Sequence, residues 1–243
     1  MARPSILAGL PRFHRGGFWL FVIAAATSAL LADHPLAPQL LLDRHFAADL
    51  TLNARFFLDL ALWQPLTAIV LFPEGQLAGL VGTLLLQWFI GGHLEERWGT
   101  ARYLTFILLP ALAGYLALGL LGLAVPFALA VPTGGTLPAD LAAVVGFGVV
   151  FARQPVQLFG ALPISGRGLA GLVTALMLMG PLLRGAWPHA VPTAVAAAVA
   201  LGLAWRWRTP PSSGKVAARA GGRKPNHLRV VPQTGRPRDK LLN

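Results

Sequence analysis

The chain has 243 residues, of which 55% are hydrophobic and only 12% charged, and its formal net charge is +11. Soluble domains have roughly 45–50% apolar and about 25% charged residues, so this composition indicates a membrane-embedded protein. Cysteine is absent, which excludes disulfides, thiolate metal sites and a cysteine nucleophile. The sequence contains no nucleotide-binding or HExxH motif, and we expect no metal and no cofactor.

Six apolar runs follow one another, each near the length of a bilayer span, about 17–25 residues. They cover residues 18–32, 75–92, 103–123, 137–151, 169–183 and 190–205. The fourth run is short for a free span, and we expect neighbouring helices to support it inside a bundle. The N-terminal segment 1–16 is basic, as in a cleaved signal peptide, but a protein with several spans does not need one. We therefore predict an all-α, six-helix membrane domain over residues 17–205.

Segment 33–73, between the first two runs, is more polar than the rest of this region. It holds four of the nine acidic residues and alternates polar with bulky apolar side chains. This pattern is typical of an interfacial loop with an amphipathic helix. Gly75 and Gly79 then form a GxxxG pair, which would permit close helix packing.

The C-terminal segment 206–243 is rich in Pro, Gly and Arg, and we predict a disordered tail. Ten of the twenty Lys and Arg residues lie in it. A basic segment beside a membrane helix favours contact with anionic lipid, and we expect no nucleic-acid partner.

The distribution of basic residues between alternate loops predicts the orientation of the chain. With the N-terminus inside, seven Lys or Arg residues in short segments and ten in the tail are cytoplasmic, against three outside. The inner seven are Arg3, Arg12, Arg15, Arg97, Arg102, Arg153 and Arg167, and the outer three are Arg44, Arg55 and Arg184. Both termini are therefore expected in the cytoplasm.

Ionisable residues inside spans are candidates for function, because a bilayer makes them costly. Glu95 and Glu96 follow the second run beside Arg97, where an interfacial anchor or a helix-terminal salt bridge is the simplest interpretation. Asp140 and His189 lie at the first turns of the fourth and sixth helices.

Thr136 and Asp140 follow a glycine turn in the stretch PTGGTLPAD. Thr136 is a candidate N-cap, and Asp140 would complement the positive end of the helix dipole. Because Thr136 and Asp140 are four residues apart, they share one helical face. Together with His189 they could instead converge in a membrane cavity.

Three features resemble the rhomboid family of intramembrane serine proteases and its inactive relatives, over residues 63–205. WQPLT is similar to the family's Trp-x-x-x-Thr segment, and LEERWG is similar to its Leu-Glu-x-x-Trp-Gly motif. The third feature is the architecture, a six-helix core with a long first outer loop and a short fourth helix. The matching motif residues are Trp63, Thr67, Leu94, Glu95, Trp98 and Gly99.

The resemblance implies a catalytic pair of a serine at the start of helix four and a histidine in helix six. His189 matches the histidine, and Thr136 stands in the serine position, 53 residues earlier. Registers that use Gly146 and Gly148 instead bring Leu137 or Pro138 to that position, and no register supplies a serine.

Further positions depart from the family pattern. The His and Asn that help to stabilise the oxyanion map onto Gly79 and Thr83. The glycines that follow the histidine map onto Pro192 and Ala196, which we expect to hold helix six away from helix four. Asp140 stands where an aromatic usually stacks on the histidine, so we expect it to pair with His189.

Loss of a single oxyanion donor costs about 10²–10³ in rate, so the combined departures argue against efficient proteolysis. We therefore expect a rhomboid-like pseudoprotease that binds transmembrane helices of partner proteins, in the cytoplasmic membrane of a bacterium. An active rhomboid-type endopeptidase with divergent catalytic residues is the alternative. A small-molecule transporter component is a third possibility, although no internal repeat supports it.

Overall fold

The computed structural model of the protein describes residues 14–31, 50–72, 77–130, 132–158 and 162–207, and this part is mostly helical. In chain order the helices are α1 (Arg15–Leu31), α2 (Arg55–Leu58), α3 (Gln64–Thr67), α4 (Leu77–Leu86), α5 (Gly92–Trp98), α6 (Thr100–Ala124), α7 (Leu137–Val150), α8 (Gly166–Leu183) and α9 (Val191–Trp207). A π-helical turn, Gln87–Gly91, joins α4 to α5. Short 3-10 turns, Pro126–Leu129 and Trp187–Ala190, lie before α7 and α9.

Each of the six apolar runs coincides with helix over the residues that the structure describes. The second run is longer than expected, because the helical path continues through the π turn to Trp98. Within the described residues, three helices are long and apolar enough to cross a membrane, at Thr100–Ala124, Gly166–Leu183 and Trp187–Trp207. The mostly helical class is confirmed, whereas six spans and the orientation of the termini remain predictions.

Several sequence-based expectations concern residues outside the described part of the chain. These are most of the N-terminal segment 1–16, nearly all of the tail 206–243, and Gly75 of the GxxxG pair. The first loop is described from residue 50 onward, where it contains the single-turn helices α2 and α3. Its exposed apolar side chains suit an interfacial position, and they are Leu58, Leu60, Leu62, Trp63 and Leu66.

Helix α6 lies in the core and packs against α7 and α9. Its buried residues recur at helical spacing and include Tyr103, Phe106, Ile107, Ala111, Tyr115 and Leu118. At Gly114 the backbone of α9 comes so close that an added Cβ would overlap with the carbonyl oxygen of Pro192. Glycine is therefore required at this crossing.

Helices α7 and α9 also pack against each other. The α9 alanines Ala196, Ala200 and Ala204 are fully buried, and they are spaced four residues apart on one face. The two helices are in contact, so the expectation that Pro192 and Ala196 hold them apart is wrong. The physical reason is that alanine at position 196 is small enough to allow close packing.

The sequence patterns did not predict the hairpin before α8. Strands β1 (Pro155–Leu158) and β2 (Leu162–Ser165) pair antiparallel, with Pro155 opposite Ser165 and Leu158 opposite Leu162. Ser165 then caps α8, since its hydroxyl accepts a hydrogen bond from the Gly168 amide at 3.1 Å.

Candidate functional site

The carboxylate of Asp140 lies at the centre of a buried polar network. Asp140 is in the first turn of α7, and only 2% of its surface is exposed. One carboxylate oxygen contacts the hydroxyls of Thr83 and Thr136 at 2.8 and 2.9 Å, and the other accepts from the Gln87 amide at 2.7 Å. The two hydroxyl oxygens also lie 2.5 Å apart, and the Thr83 hydroxyl lies 3.0 Å from the Gly79 carbonyl oxygen. Because each hydroxyl has one proton, at most two of these four hydroxyl contacts are donated at any time.

Gln87 extends the network to a third helix. Its side-chain oxygen accepts a hydrogen bond from the Tyr103 hydroxyl, while its amide nitrogen donates to Asp140. Gln87 is the first residue of the π turn. A Cβ added to Gly91, the last residue of the turn, would lie 2.8 Å from the Gln87 side-chain oxygen, so glycine leaves room for this side chain. π turns are frequent at functional sites, and here the turn brings a polar side chain between α6 and α7.

We call these five side chains the Asp140 network: Thr83, Gln87, Tyr103, Thr136 and Asp140. Each is at most 2% exposed, so the network connects three helical segments without contact with solvent. Buried polar groups must be hydrogen bonded, and a satisfied network fixes the relative position of the helices that supply it. Thr136 occupies the N-cap position as expected, but its hydroxyl makes no capping hydrogen bond and contacts Asp140 instead.

Phe72 fills the space beside the glycine turn that precedes Thr136. Gly135 has φ +111°, a conformation that favours glycine, and its amide donates to the Ala68 carbonyl at 2.8 Å. A Cβ on Gly135 would lie 3.2 Å from the Phe72 ring, and one on Gly79 would lie 2.5 Å from it. The position mapped to an oxyanion donor, Gly79, is thus covered by an aromatic ring.

His189 belongs to a different group of side chains. Its ring Nδ1 lies 3.0 Å from the Thr133 hydroxyl. Both residues line a cavity of about 470 Å³, which we call the His189 cavity. Its lining includes Tyr115, Thr133, Leu137, Arg184, His189 and Thr193.

The structure therefore divides the three residues proposed to converge. Thr136 and Asp140 are in direct contact, but no hydrogen bond or ion pair among the described residues joins either of them to His189. Neither Thr136 nor Asp140 lines the His189 cavity. Within the described residues, no group of three His, Cys, Asp or Glu side chains could hold a metal ion.

Glu95 has a structural position. Its carboxylate accepts from the Gly16 amide at 2.9 and 3.0 Å, from the Gly17 amide at 3.2 Å, and from the Thr100 hydroxyl at 2.6 Å. Gly16 and Gly17 are in the first turn of α1, whose amides have no partner within the helix. Glu95 therefore caps α1, while the adjacent Glu96 is exposed.

The other residues of the two motifs compared in the sequence analysis also support the fold. Trp98 packs on Phe106 with ring centroids 4.7 Å apart, and Gly99 joins α5 to α6 with φ +79°. Thr67 donates its hydroxyl to the Leu50 carbonyl at 2.7 Å, which ties α3 to the preceding loop. Leu94 is fully buried, and half of Trp63 is exposed.

The sequence patterns did not identify Gln87, Tyr103, Thr133 or Arg184 as site residues. Gln87 could have been noticed, because an uncharged polar side chain inside the apolar run LLLQWFI needs a partner. Thr133 and Arg184 gave no comparable signal, since both lie in connections where polar residues are common.

The fold and the apolar helices have the features of a helical membrane protein, with a buried Asp140 network and a separate His189 cavity. No family model matches the chain, and no curated protein matches it either.

Proposed function

We propose that the chain is a rhomboid-like pseudoprotease, which binds transmembrane helices of partner proteins and does not cleave them. The main support is the separation of Thr136 from His189. Nucleophilic catalysis requires a hydroxyl within hydrogen-bond reach of its base and accessible to substrate. Thr136 is 0% exposed and contacts a carboxylate in a sealed network, so neither requirement is supported at this position.

Partner binding is supported by the position of α8. Only 17% of the residues in α8 are buried, compared with 50% of the most apolar 18-residue stretch of α6. The exposed face of α8 presents large apolar side chains at helical spacing, and these are Leu172, Leu176, Met179 and Leu183. In a bilayer, such a face is free to pack against lipid or against another helix.

Site-specific photocrosslinking in native membranes tests partner binding. A benzophenone side chain at Leu176 is expected to give adducts of discrete mass with membrane proteins that remain uncleaved. The matched control is Leu120 on α6, where the exposed fraction is similar at 62% against 63%. Equal adduct patterns at the two positions would contradict partner binding by α8.

Six spans with both termini in the cytoplasm belong to the same proposal. The coincidence of six helical segments with the six apolar runs supports it, as does the bias in Lys and Arg. Reporters fused after Asn243 and at Gly99 are expected to be cytoplasmic, and one inserted near Ala47 is expected to be external. A cytoplasmic signal at Ala47 would overturn this topology.

A divergent endopeptidase is the second candidate, because one hydroxyl does contact the imidazole. Thr133 and His189 lie 3.0 Å apart and share an accessible cavity. In this alternative, Thr133 replaces Thr136 as the nucleophile and His189 acts as its base. Cleavage of a model transmembrane substrate that is abolished by both Thr133→Ala and His189→Ala would establish it and exclude the pseudoprotease.

A further inference from the structure

A groove of about 650 Å³ lies between α7, α8 and α9, away from both the Asp140 network and the His189 cavity. Its walls are mostly small residues, and one charged side chain, Arg167, stands in its lining. The residues that define it include Gly148, Arg167, Gly171, Ala175, Ala198 and Trp205. We call it the Arg167 groove.

Arg167 lies at one end of the groove, and in a bilayer this end would lie at the membrane surface. It is in the first turn of α8, whose 18 residues extend about 27 Å, close to the hydrocarbon thickness. A short connection joins α8 to α9, so the start of α8 and the end of α9 lie at the same end of the pair. Trp205 is in the last turn of α9, and tryptophan beside arginine is typical of the membrane interface.

The guanidinium of Arg167 has no partner within the described part of the chain. Arg97 and Arg102, by comparison, lie over the rings of Phe151 and Trp207 at 6.0 and 4.7 Å. Arg167 is exposed and has no such ring contact, hydrogen bond or ion pair among the described residues. A cation at the interface end of an apolar groove is complementary to an anionic head group attached to an acyl chain.

We propose that the Arg167 groove binds an anionic phospholipid, with its phosphate paired to Arg167 and one acyl chain along the small residues. The length of the groove favours a lipid over a partner helix. From Arg167 to Ala175 the groove follows α8 for about 12 Å, close to the depth of one leaflet, about 15 Å. A transmembrane helix would need a contact surface about twice as long. This site is independent of the proposed partner binding and of the basic tail.

Native mass spectrometry of the full-length protein tests this proposal. The protein is reconstituted with phosphatidylglycerol and phosphatidylcholine, then extracted in mild detergent at about 0.15 M salt, because higher salt would also screen the exposed Arg167. Wild type is expected to retain phosphatidylglycerol in preference to phosphatidylcholine. Arg167→Gln is expected to lower this retention about five-fold.

Two matched variants separate the groove from general surface charge. Arg153→Gln removes an exposed charge from the connection before α8 that does not line the groove, and is expected to retain lipid as wild type does. Gly171→Leu keeps Arg167 and fills the groove, and the site of its Cβ is open for at least 4 Å. It is expected to lose the lipid, and Ala198→Leu provides a second filling variant if Gly171→Leu fails to fold.

Four results would overturn the proposal. Equal losses in Arg167→Gln and Arg153→Gln would mean diffuse charge attraction, and unchanged retention in both filling variants would mean that no chain enters the groove. Equal retention of phosphatidylcholine would mean that the head group is not recognised. In native membranes, a benzophenone at Ala198 should crosslink to phospholipid, and a protein adduct there would identify a helix or a second copy as the occupant.

Discussion

The carboxylate of Glu95 accepts two contacts from the backbone amide of Gly16, a residue 79 positions earlier in the chain, at the first turn of α1. These contacts join α1 to α5, because Glu95 lies in α5. The negative charge also complements the positive end of the α1 dipole. The motif glutamate therefore fixes the position of the N-terminal helix in the bundle.

Glu95→Ala is expected to lower the free energy of unfolding by about 3 kcal/mol, because several buried donors lose a charged acceptor. The matched control is the adjacent exposed Glu96, and Glu96→Ala should change the free energy by less than about 0.5 kcal/mol. Reversible unfolding in mixed micelles measures both. Similar values for the two variants would show that Glu95 does not cap α1.

Gly79→Ala is expected to destabilise the protein by about 1–3 kcal/mol, because its Cβ would lie 2.5 Å from the Phe72 ring. Gly82 is on the same helix, and a Cβ added there would have no neighbour within 4 Å. Gly82→Ala should therefore be neutral or stabilising, since alanine favours helix over glycine by up to about 1 kcal/mol. The same unfolding assay measures the difference. A neutral Gly79→Ala would mean that Phe72 does not occupy this space.

Thr83→Val is expected to cost about 2 kcal/mol, since it removes a buried donor to a carboxylate while keeping the shape of the side chain. Thr105 provides the control, because its hydroxyl bonds only to the Ala101 carbonyl of its own helix and is exposed. Thr105→Val should change the free energy of unfolding by less than about 0.5 kcal/mol. Equal effects would place Thr83 outside any energetically important network.

The helices could be predicted from the sequence because their signal is local. Apolar runs and a glycine turn are contained in short windows, and the start of α7 at Leu137 agrees with the expected boundary. The glycine turn itself was correctly placed before Thr136. The hairpin was missed because its strands are short and lie between two apolar helices.

The contacts of the site could not be predicted, because they join residues far apart in the chain. Gln87 and Asp140 are separated by 53 positions, and His189 and Thr133 by 56. Family spacing directed attention to Thr136, but the hydroxyl that contacts His189 belongs to Thr133, on the other side of the glycine turn. Sequence patterns identify which residues are unusual in a bilayer and do not determine which of them touch.

Thr136→Ser is not expected to create a protease. The new hydroxyl would occupy the same sealed position beside Asp140, without contact with His189. We expect no labelling by a serine-directed fluorophosphonate in native membranes and no cleavage of a model transmembrane substrate. Thr133→Ser is the informative comparison, because that position lines the His189 cavity. Labelling of Thr136→Ser that disappears on heating would show that substrate reaches the Asp140 network.

The separation of His189 from Asp140 is expected to appear in double-mutant cycles. The two side chains share no hydrogen-bond partner among the described residues, so His189→Ala and Asp140→Ala should add within about 0.5 kcal/mol in the free energy of unfolding. His189→Ala and Thr133→Ala, which remove two ends of one hydrogen bond, should instead show a coupling of about 1 kcal/mol. Asp140→Ala is the more damaging single change, because it leaves the buried Gln87 amide without its acceptor and removes the acceptor that the Thr83 and Thr136 hydroxyls share. A coupling above about 1 kcal/mol between His189 and Asp140 would show that the carboxylate and the imidazole interact directly. The Asp140 network and the His189 cavity would then be one site.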